Sequence, residues 1–298
     1  PRKPGQTRLD MLDDSIRMLK DVIENLKPID FKGIFVSITN PADVIANYAR
    51  VHLGLPRERC FSTGTSLDTA RLKRTVSELA NIDRKSVTTC AIGEHGDSSF
   101  VPFSTLTLGG KNYKELQEAK PEKYSKLTED FVLERTRYIG YDIINGKGST
   151  EFGIGAACAD ICKAIFHDEK RVIPASVLLE GEYGIDGVAC GVPCVIGRNG
   201  IEDIIALDCL AVNGNRYHTL ANVVRVLDGD IVGCTTELSE NGEAIPLVGD
   251  RRIDLQTVPI RNDTQNVLGN CYEVPCSSTG QPAVLCFAMT LCVLTCDH

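Results

Sequence analysis

The chain has 298 residues, a length that accommodates about two domains at roughly 150 residues each. Hydrophobic residues make up 43% and charged residues 24%, which supplies enough apolar material for a buried core. With 32 basic against 40 acidic side chains the net charge is -8, which argues against a nucleic-acid binder held by phosphate contacts. The longest apolar run, residues 283–296, falls short of the roughly 18–20 residues needed to span a bilayer. With no visible secretory segment, the expected location is cytoplasmic. The first residue is proline, and the chain reads as part of a longer one.

In chain order, residues 1–8 form a polar loop. Apolar residues at 9, 12, 16, 19, 22, 23 and 26 predict a helix that Pro28 ends. The branched, apolar run at residues 33–38 predicts a buried strand, broken by Thr39-Asn40-Pro41 and followed by a helix over 42–53. Strand, turn and helix in that order predict a parallel sheet. A helix is predicted over 66–82 and a strand over about 86–92, before Gly93-Glu94-His95-Gly96-Asp97 interrupts. Residues 98–125 are expected to be strand then loop. Helices follow at about 126–146, closed by Gly146 and Gly148, and at 150–167. Strands are predicted within 171–198 and from Gly200 to Leu210.

Beyond about residue 210 the character changes. Lys170 is the last lysine, and six of the 13 cysteines fall in residues 211–298. Short strands separated by Asn-Gly and Asp-Gly turns are expected there. Thirteen cysteines cannot all pair within one chain, and no CxxC or HxxxH spacing occurs. Cys158/Cys162, Cys190/Cys194 and Cys292/Cys296 are each four apart, but a zinc site needs about four convergent ligands. We expect buried thiols and no metal.

The chemistry centres on His95. A histidine between two glycines is either a solvated loop residue or one whose backbone must approach a ligand closely. Asp68 and Arg71, three apart, project from one face of the predicted 66–82 helix. They are either a helical ion pair or parts of one site. A carboxylate held against an imidazole fixes its tautomer and favours its protonated form, making a general acid for a carbonyl oxygen. An arginine grips a substrate carboxylate bidentately. Arg8, on the Pro/Gly-rich loop, is placed to swing in and polarise the carbonyl. Together these describe reduction of a 2-oxo acid by a nicotinamide hydride.

The segments PRKPGQTRLD, SITNPADV, TGTSLDTARLKR, IGEHGD and GKGSTEFGIG occur in order over about residues 1–210. They resemble the L-lactate/malate dehydrogenase superfamily, and the wording of IGEHGD and TSLDTAR is closest to bacterial L-lactate dehydrogenases. The resemblance implies an α/β fold: the C-terminal part of a Rossmann NAD-binding domain, then a mixed α/β catalytic domain. It divides the chain at 1–62, a dinucleotide-binding remnant with the mobile loop, 63–210, the catalytic domain, and 211–298, an unassigned tail. It implies NAD as cofactor, a 2-oxo or 2-hydroxy acid as substrate, no nucleic-acid or membrane partner, and a homodimer or homotetramer.

By the same resemblance His95 is the proton donor and acceptor, Asp68 its orienting partner, Arg71 the carboxylate clamp and Arg8 the mobile-loop arginine. Asn40 contacts substrate and nicotinamide, with Thr39 beside it on the cofactor side. Thr150 lines the substrate pocket. Ile154 is either an apolar contact to the nicotinamide ring or a core residue. Arg2 occupies the specificity position, where Gln favours pyruvate and Arg pairs with the second carboxylate of oxaloacetate. Arg2 points to malate dehydrogenase, while Thr150 and the other motifs point to lactate dehydrogenase, the reading preferred. A non-catalytic fragment is the alternative from another class.

Two departures stand out. The GxGxxG turn that holds a pyrophosphate is not found. Residues 153–159 fit GxGxxA superficially, but they fall inside a predicted helix and not after a strand. We therefore expect an uncovered sheet edge and helix faces, marginal stability and weak NADH binding. The positions that hold a sugar-bisphosphate effector in some bacterial lactate dehydrogenases carry Lys73 and Thr88, so no strong effector response is expected. Residues 211–298 show no long amphipathic helix.

Overall fold

The computed structural model describes residues 12–96 and 99–207 and, beyond these, the backbone of seven short strands. Arg2 and Arg8 lie outside the described residues, as does Asp97.

The described residues open with α1 (Leu12–Leu26), whose apolar stripe Leu12, Ile16, Leu19, Ile23 and Leu26 is buried; the loop expected at 1–8 lies outside them. β1 (Ile34–Ser37) follows, then α2 (Ala42–Leu53) and β2 (Cys60–Ser62). β1 and β2 pair in parallel, Phe35 opposite Cys60 and Val36 opposite Phe61. All four β1 residues are buried because both faces of the strand are covered. The alternation of side chains sorts them: Phe35 and Cys60 join the core beneath α1 and α2, while Ile34, Val36 and Phe61 face the core beneath a later helix, α7.

α3 (Ser66–Ala80) leads to the two-residue strands β3 (Val87–Thr88), β4 (Thr107–Leu108) and β5 (Lys111–Asn112). The predicted strand at 86–92 is therefore mostly loop. Arg84–Ser86 is a short 3-10 turn, and only Ile92 re-enters a β-bridge, with Phe100. The strand-then-loop expected at 98–125 is also corrected. It contains α4 (Tyr113–Ala119) and α5 (Pro121–Tyr124). The Asn112 side chain caps α4 by accepting from the Lys114 N–H, and Pro121 starts α5. α6 (Glu129–Lys147) ends at Gly148, whose φ of 83° is the left-handed geometry that glycine adopts without strain. α3, α5 and α6 close a third core around Leu72, Val76, Leu106, Leu127 and Val132.

α7 (Phe152–Phe166) packs Cys158, Ile161, Ala164 and Ile165 onto a long antiparallel hairpin, β6 (Arg171–Glu180) and β7 (Asp186–Gly197). β8 (Gly200–Ile204) adds to its far edge. The expected strand reaching Leu210 stops at Ile204; residues 208–210 lie outside the described residues. The second helix-covered face completes an α/β/α arrangement, with β2 joined to β6 through Ser62 and Ser176.

Beyond residue 207 the strands are β9 (Val223–Leu227), β10 (Asp230–Cys234), β11 (Thr236–Leu238), β12 (Ala244–Pro246), β13 (Arg252–Ile253), β14 (Val284–Phe287) and β15 (Cys292–Thr295). β9 and β10 pair antiparallel, as do β11 and β12; the Asp-Gly and Asn-Gly turns expected between strands here lie outside the described residues. The sheet edge expected to be uncovered is filled at β1. β14 pairs with β1 in parallel over all four residues and β15 pairs with β14, giving the sheet order β15-β14-β1-β2-β6-β7-β8. Some large apolar side chains do remain exposed, among them Phe152, Tyr138 and Tyr141.

Candidate active site

The site gathers at the carboxyl end of β1, the first turns of α2 and α3, and the 92–100 loop. That loop is closed at its base by reciprocal Ile92–Phe100 backbone bonds of 2.9 and 3.0 Å. It is fastened to β7 by a second reciprocal pair, Gly93 N–H to the Gly191 carbonyl and Gly191 N–H to the Gly93 carbonyl, both 2.8 Å. Only glycine fits at 191, because a Cβ there would stand 2.4 Å from Thr65 Oγ1. α3 adds a third tie, with Thr69 Oγ1 accepting from the Ala91 N–H at 2.9 Å.

These anchors set His95 against α3. Its Nδ1 lies 2.6 Å from Asp68 Oδ2. Asp68 Oδ1 in turn lies 3.5 Å from Arg71 Nη1, one turn further along the helix. The three side chains are 10%, 18% and 16% exposed, sheltered but not sealed. The Arg71 guanidinium lies along α6 at Gly140, where a Cβ would meet Nη1 at 3.4 Å. The sequence-predicted trio of His95, Asp68 and Arg71 is thus brought together.

Thr39 and Asn40 follow β1. Thr39 Oγ1 and Asn40 Oδ1 are both buried without a hydrogen-bond partner, while the Asn40 carbonyl accepts from Ser15 Oγ at 2.7 Å. Unpartnered buried polar atoms at a strand's carboxyl end suit a ligand that brings its own polar groups. Thr150 is half-buried just before α7, and Ile154 is half-buried in that helix's first turn. Their segment is held to α3 at Leu67, whose Cδ1 stands 3.0 Å from where a Cβ on Gly153 would sit. The superficial GxGxxA at 153–159 lies within α7, as expected, and not after a strand.

Sequence reasoning passed over Asp43. From the first turn of α2 its Oδ2 accepts the His95 backbone N–H at 3.0 Å. Its other oxygen, Oδ1, is buried without a partner of good geometry, although the Ser176 hydroxyl is close enough to favour the ionised carboxylate. Burial outweighs this and pushes the carboxyl up to about 6. The residue was in view, three places after Asn40, but an acid in a helix's first turn reads as a complement to the helix dipole.

Elsewhere, Cys60, Cys190 and Cys194 are buried reduced thiols, and burial pushes all three pKa values up, that of Cys194 to about 12. Among the described residues no cluster of three or more His, Cys, Asp or Glu is arranged to hold a metal. Among the same residues no helix is long and apolar enough to cross a membrane.

An imidazole backed by a carboxylate, with an arginine on the same helix, is the constellation of an acid–base site for an anionic substrate. The family described as lactate/malate dehydrogenase, alpha/beta C-terminal domain, matches residues 65–234, and its NAD binding domain matches residues 1–62. The chain belongs to the lactate/malate dehydrogenase family. It is 41% identical over 203 residues to the L-lactate dehydrogenase of Fusobacterium nucleatum, covering 68% of this chain. It spans 64% of that relative's length, just under two thirds. It is 38% identical over 223 residues to L-lactate dehydrogenase 3 of Bacillus thuringiensis, covering 75% of this chain and 71% of the relative. Among solved structures it resembles a lactate dehydrogenase from a Medee basin deep-sea metagenome library, with a TM-score of 0.65 and 36% identity over 70% of this chain and 66% of the other. It also resembles the malate dehydrogenase of Cryptosporidium parvum, with a TM-score of 0.65 and 28% identity over 72% of this chain and 68% of the other. The C-terminal match runs past residue 210, where the sequence changes character, to residue 234.

Proposed function

We propose that the chain carries the catalytic apparatus of an NAD-dependent L-lactate dehydrogenase, interconverting pyruvate and L-lactate. The carrying observation is the 2.6 Å contact between His95 Nδ1 and Asp68, with Arg71 on the same helix face. Asp68 engages Nδ1, so Nε2 is the nitrogen that works on substrate. Arg71 grips the substrate carboxylate and fixes which face of the 2-oxo group is presented. His95 then donates its Nε2 proton to the carbonyl oxygen as the carbonyl carbon is reduced, and takes it back in the reverse direction. Asp68 stabilises the imidazolium that precedes this transfer.

Thr39 Oγ1 and Asn40 Oδ1 fit the nicotinamide end of the cofactor, since both are buried polar atoms in need of partners. When bound, the nicotinamide supplies or accepts the hydride. Thr150 lines the substrate side and Ile154 the apolar side of the same space. Arg8 closes over the reacting carbonyl, and the family's usual homo-oligomer and cytoplasmic setting complete the reading.

Malate dehydrogenase is the second reading, favoured by one observation: Arg2 at the specificity position. The test is NADH oxidation by the full chain at saturating cofactor, pyruvate against oxaloacetate. A higher kcat/KM for pyruvate supports the first reading. Arg2→Gln should raise the pyruvate-to-oxaloacetate ratio by roughly ten- to hundred-fold, the scale of one charge pair. An unmoved ratio defeats this assignment of Arg2.

A further inference from the structure

His95 is held by two carboxylates, not one. Asp68 takes the imidazole; Asp43 takes the main chain, through a 3.0 Å bond across 52 residues of sequence. The second contact has features that simple scaffolding does not call for. A serine or asparagine at position 43 would accept the His95 N–H without placing a charge in the interior, where an ionised group is costly. Asp43 sits there nonetheless, its Oδ1 buried without a partner of good geometry.

We propose that Asp43 is a positioning residue for the acid–base histidine, fixing the His95 backbone and setting the charge behind it. This rests on the dehydrogenase reading for its role in turnover, but not for the contact itself. The groups that face Asp43 are His95 and Glu94 from the loop, Ser176 from β6 and Cys190 from β7. His95 and Ser176 favour the ionised form of Asp43, and Glu94 opposes it. Burial dominates and moves the carboxyl to about 6. A proton added to Asp43 weakens its grip on the His95 N–H and removes the negative charge that supports an imidazolium. The acid limb of turnover therefore contains the titration of Asp43.

The test uses two variants of the full chain. Asp43→Ala removes acceptor and charge; Asp43→Asn keeps an acceptor of the same size and removes only the charge. Amide hydrogen exchange at His95 should accelerate at least roughly ten-fold in Asp43→Ala, the loss of one charge-assisted bond, and much less in Asp43→Asn. In turnover, kcat should fall roughly ten- to hundred-fold in Asp43→Ala with KM little changed. Asp43→Asn should restore much of that loss at neutral pH and shift the acid limb. Wild-type exchange at His95 in folded Asp43→Ala overturns the proposal. Should Asp43→Ala not fold, Asp43→Asn decides: an acid limb identical to that of the unsubstituted chain overturns the proposal. If the unsubstituted chain turns over neither acid, the dehydrogenase reading fails, and the exchange measurement still decides the contact.

Discussion

Two arginine clusters of nearly equal exposure lie in different parts of the molecule, and they are built differently. Arg57, before β2, is 19% exposed and makes short bonds to Glu182 at 2.9 and 3.2 Å and to the Leu178 carbonyl at 3.0 Å. Glu180 and Glu58 stand further off, at 3.4 and 3.5 Å. This arginine is matched to a carboxylate of the protein itself, and it clamps the β6–β7 hairpin end to the turn before β2. Arg71 is 16% exposed, yet its ion pair with Asp68 is long, 3.5 Å, because Asp68 gives its short contact to His95. Similar burial of the same side chain thus serves a joint in one place and, on the proposed reading, a substrate clamp in the other.

The comparison is tested most severely at its acid–base end. Asp68→Asn should cut kcat by about 10²–10⁴-fold while thermal unfolding moves little, measured by steady-state NADH oxidation beside calorimetry. Arg71→Lys keeps the charge and loses the fork. It should lower kcat/KM for the 2-oxo acid by about 2–5 kcal/mol equivalent, most of it in KM. At the other cluster Arg57→Ala should do the reverse. We expect roughly 1–3 kcal/mol of lost stability in urea titrations and less than about a two-fold change in kcat/KM. If Arg57→Ala abolished turnover in a folded protein, the division between joint and site would be wrong.

The smallest effect is one of pH. The Arg57 guanidinium holds the Glu182 carboxyl down at about 2 from its ordinary 4.5. The folded chain therefore gives up this proton more readily than the unfolded one. The resulting stabilisation is complete above about 4.5 and is lost as pH falls through 2. The stability gap between the unsubstituted chain and Glu182→Gln should accordingly shrink on acidification from pH 5 to pH 2.

Much of this was legible in the residues. α1, β1 and α2 fall where the apolar spacing and the Thr39-Asn40-Pro41 break put them, because a helix with one buried stripe, such as α1, and a strand buried on both faces, such as β1, carry their pattern locally. His95, Asp68 and Arg71 were legible through local spacing and motif. α4 and α5 were missed although Asn112 and Pro121 mark their starts, because four to seven residues give too little periodicity to register. Asp43 escaped for the opposite reason. Its role lies in a contact 52 residues away, and nothing next to it in the chain betrays that. The pairing of β14 with β1 is equally non-local.

The reciprocal bonds between Gly93 and Gly191 have a consequence for how the molecule comes together. The histidine loop is stitched to segments on both sides of it in the chain, including a strand made far later. Such long-range closures form slowly, after local helices have condensed. Proteolytic nicking in the exposed turns between α4 and α7 should therefore be tolerated once folding is complete, and be ruinous if it comes before the last hairpin docks.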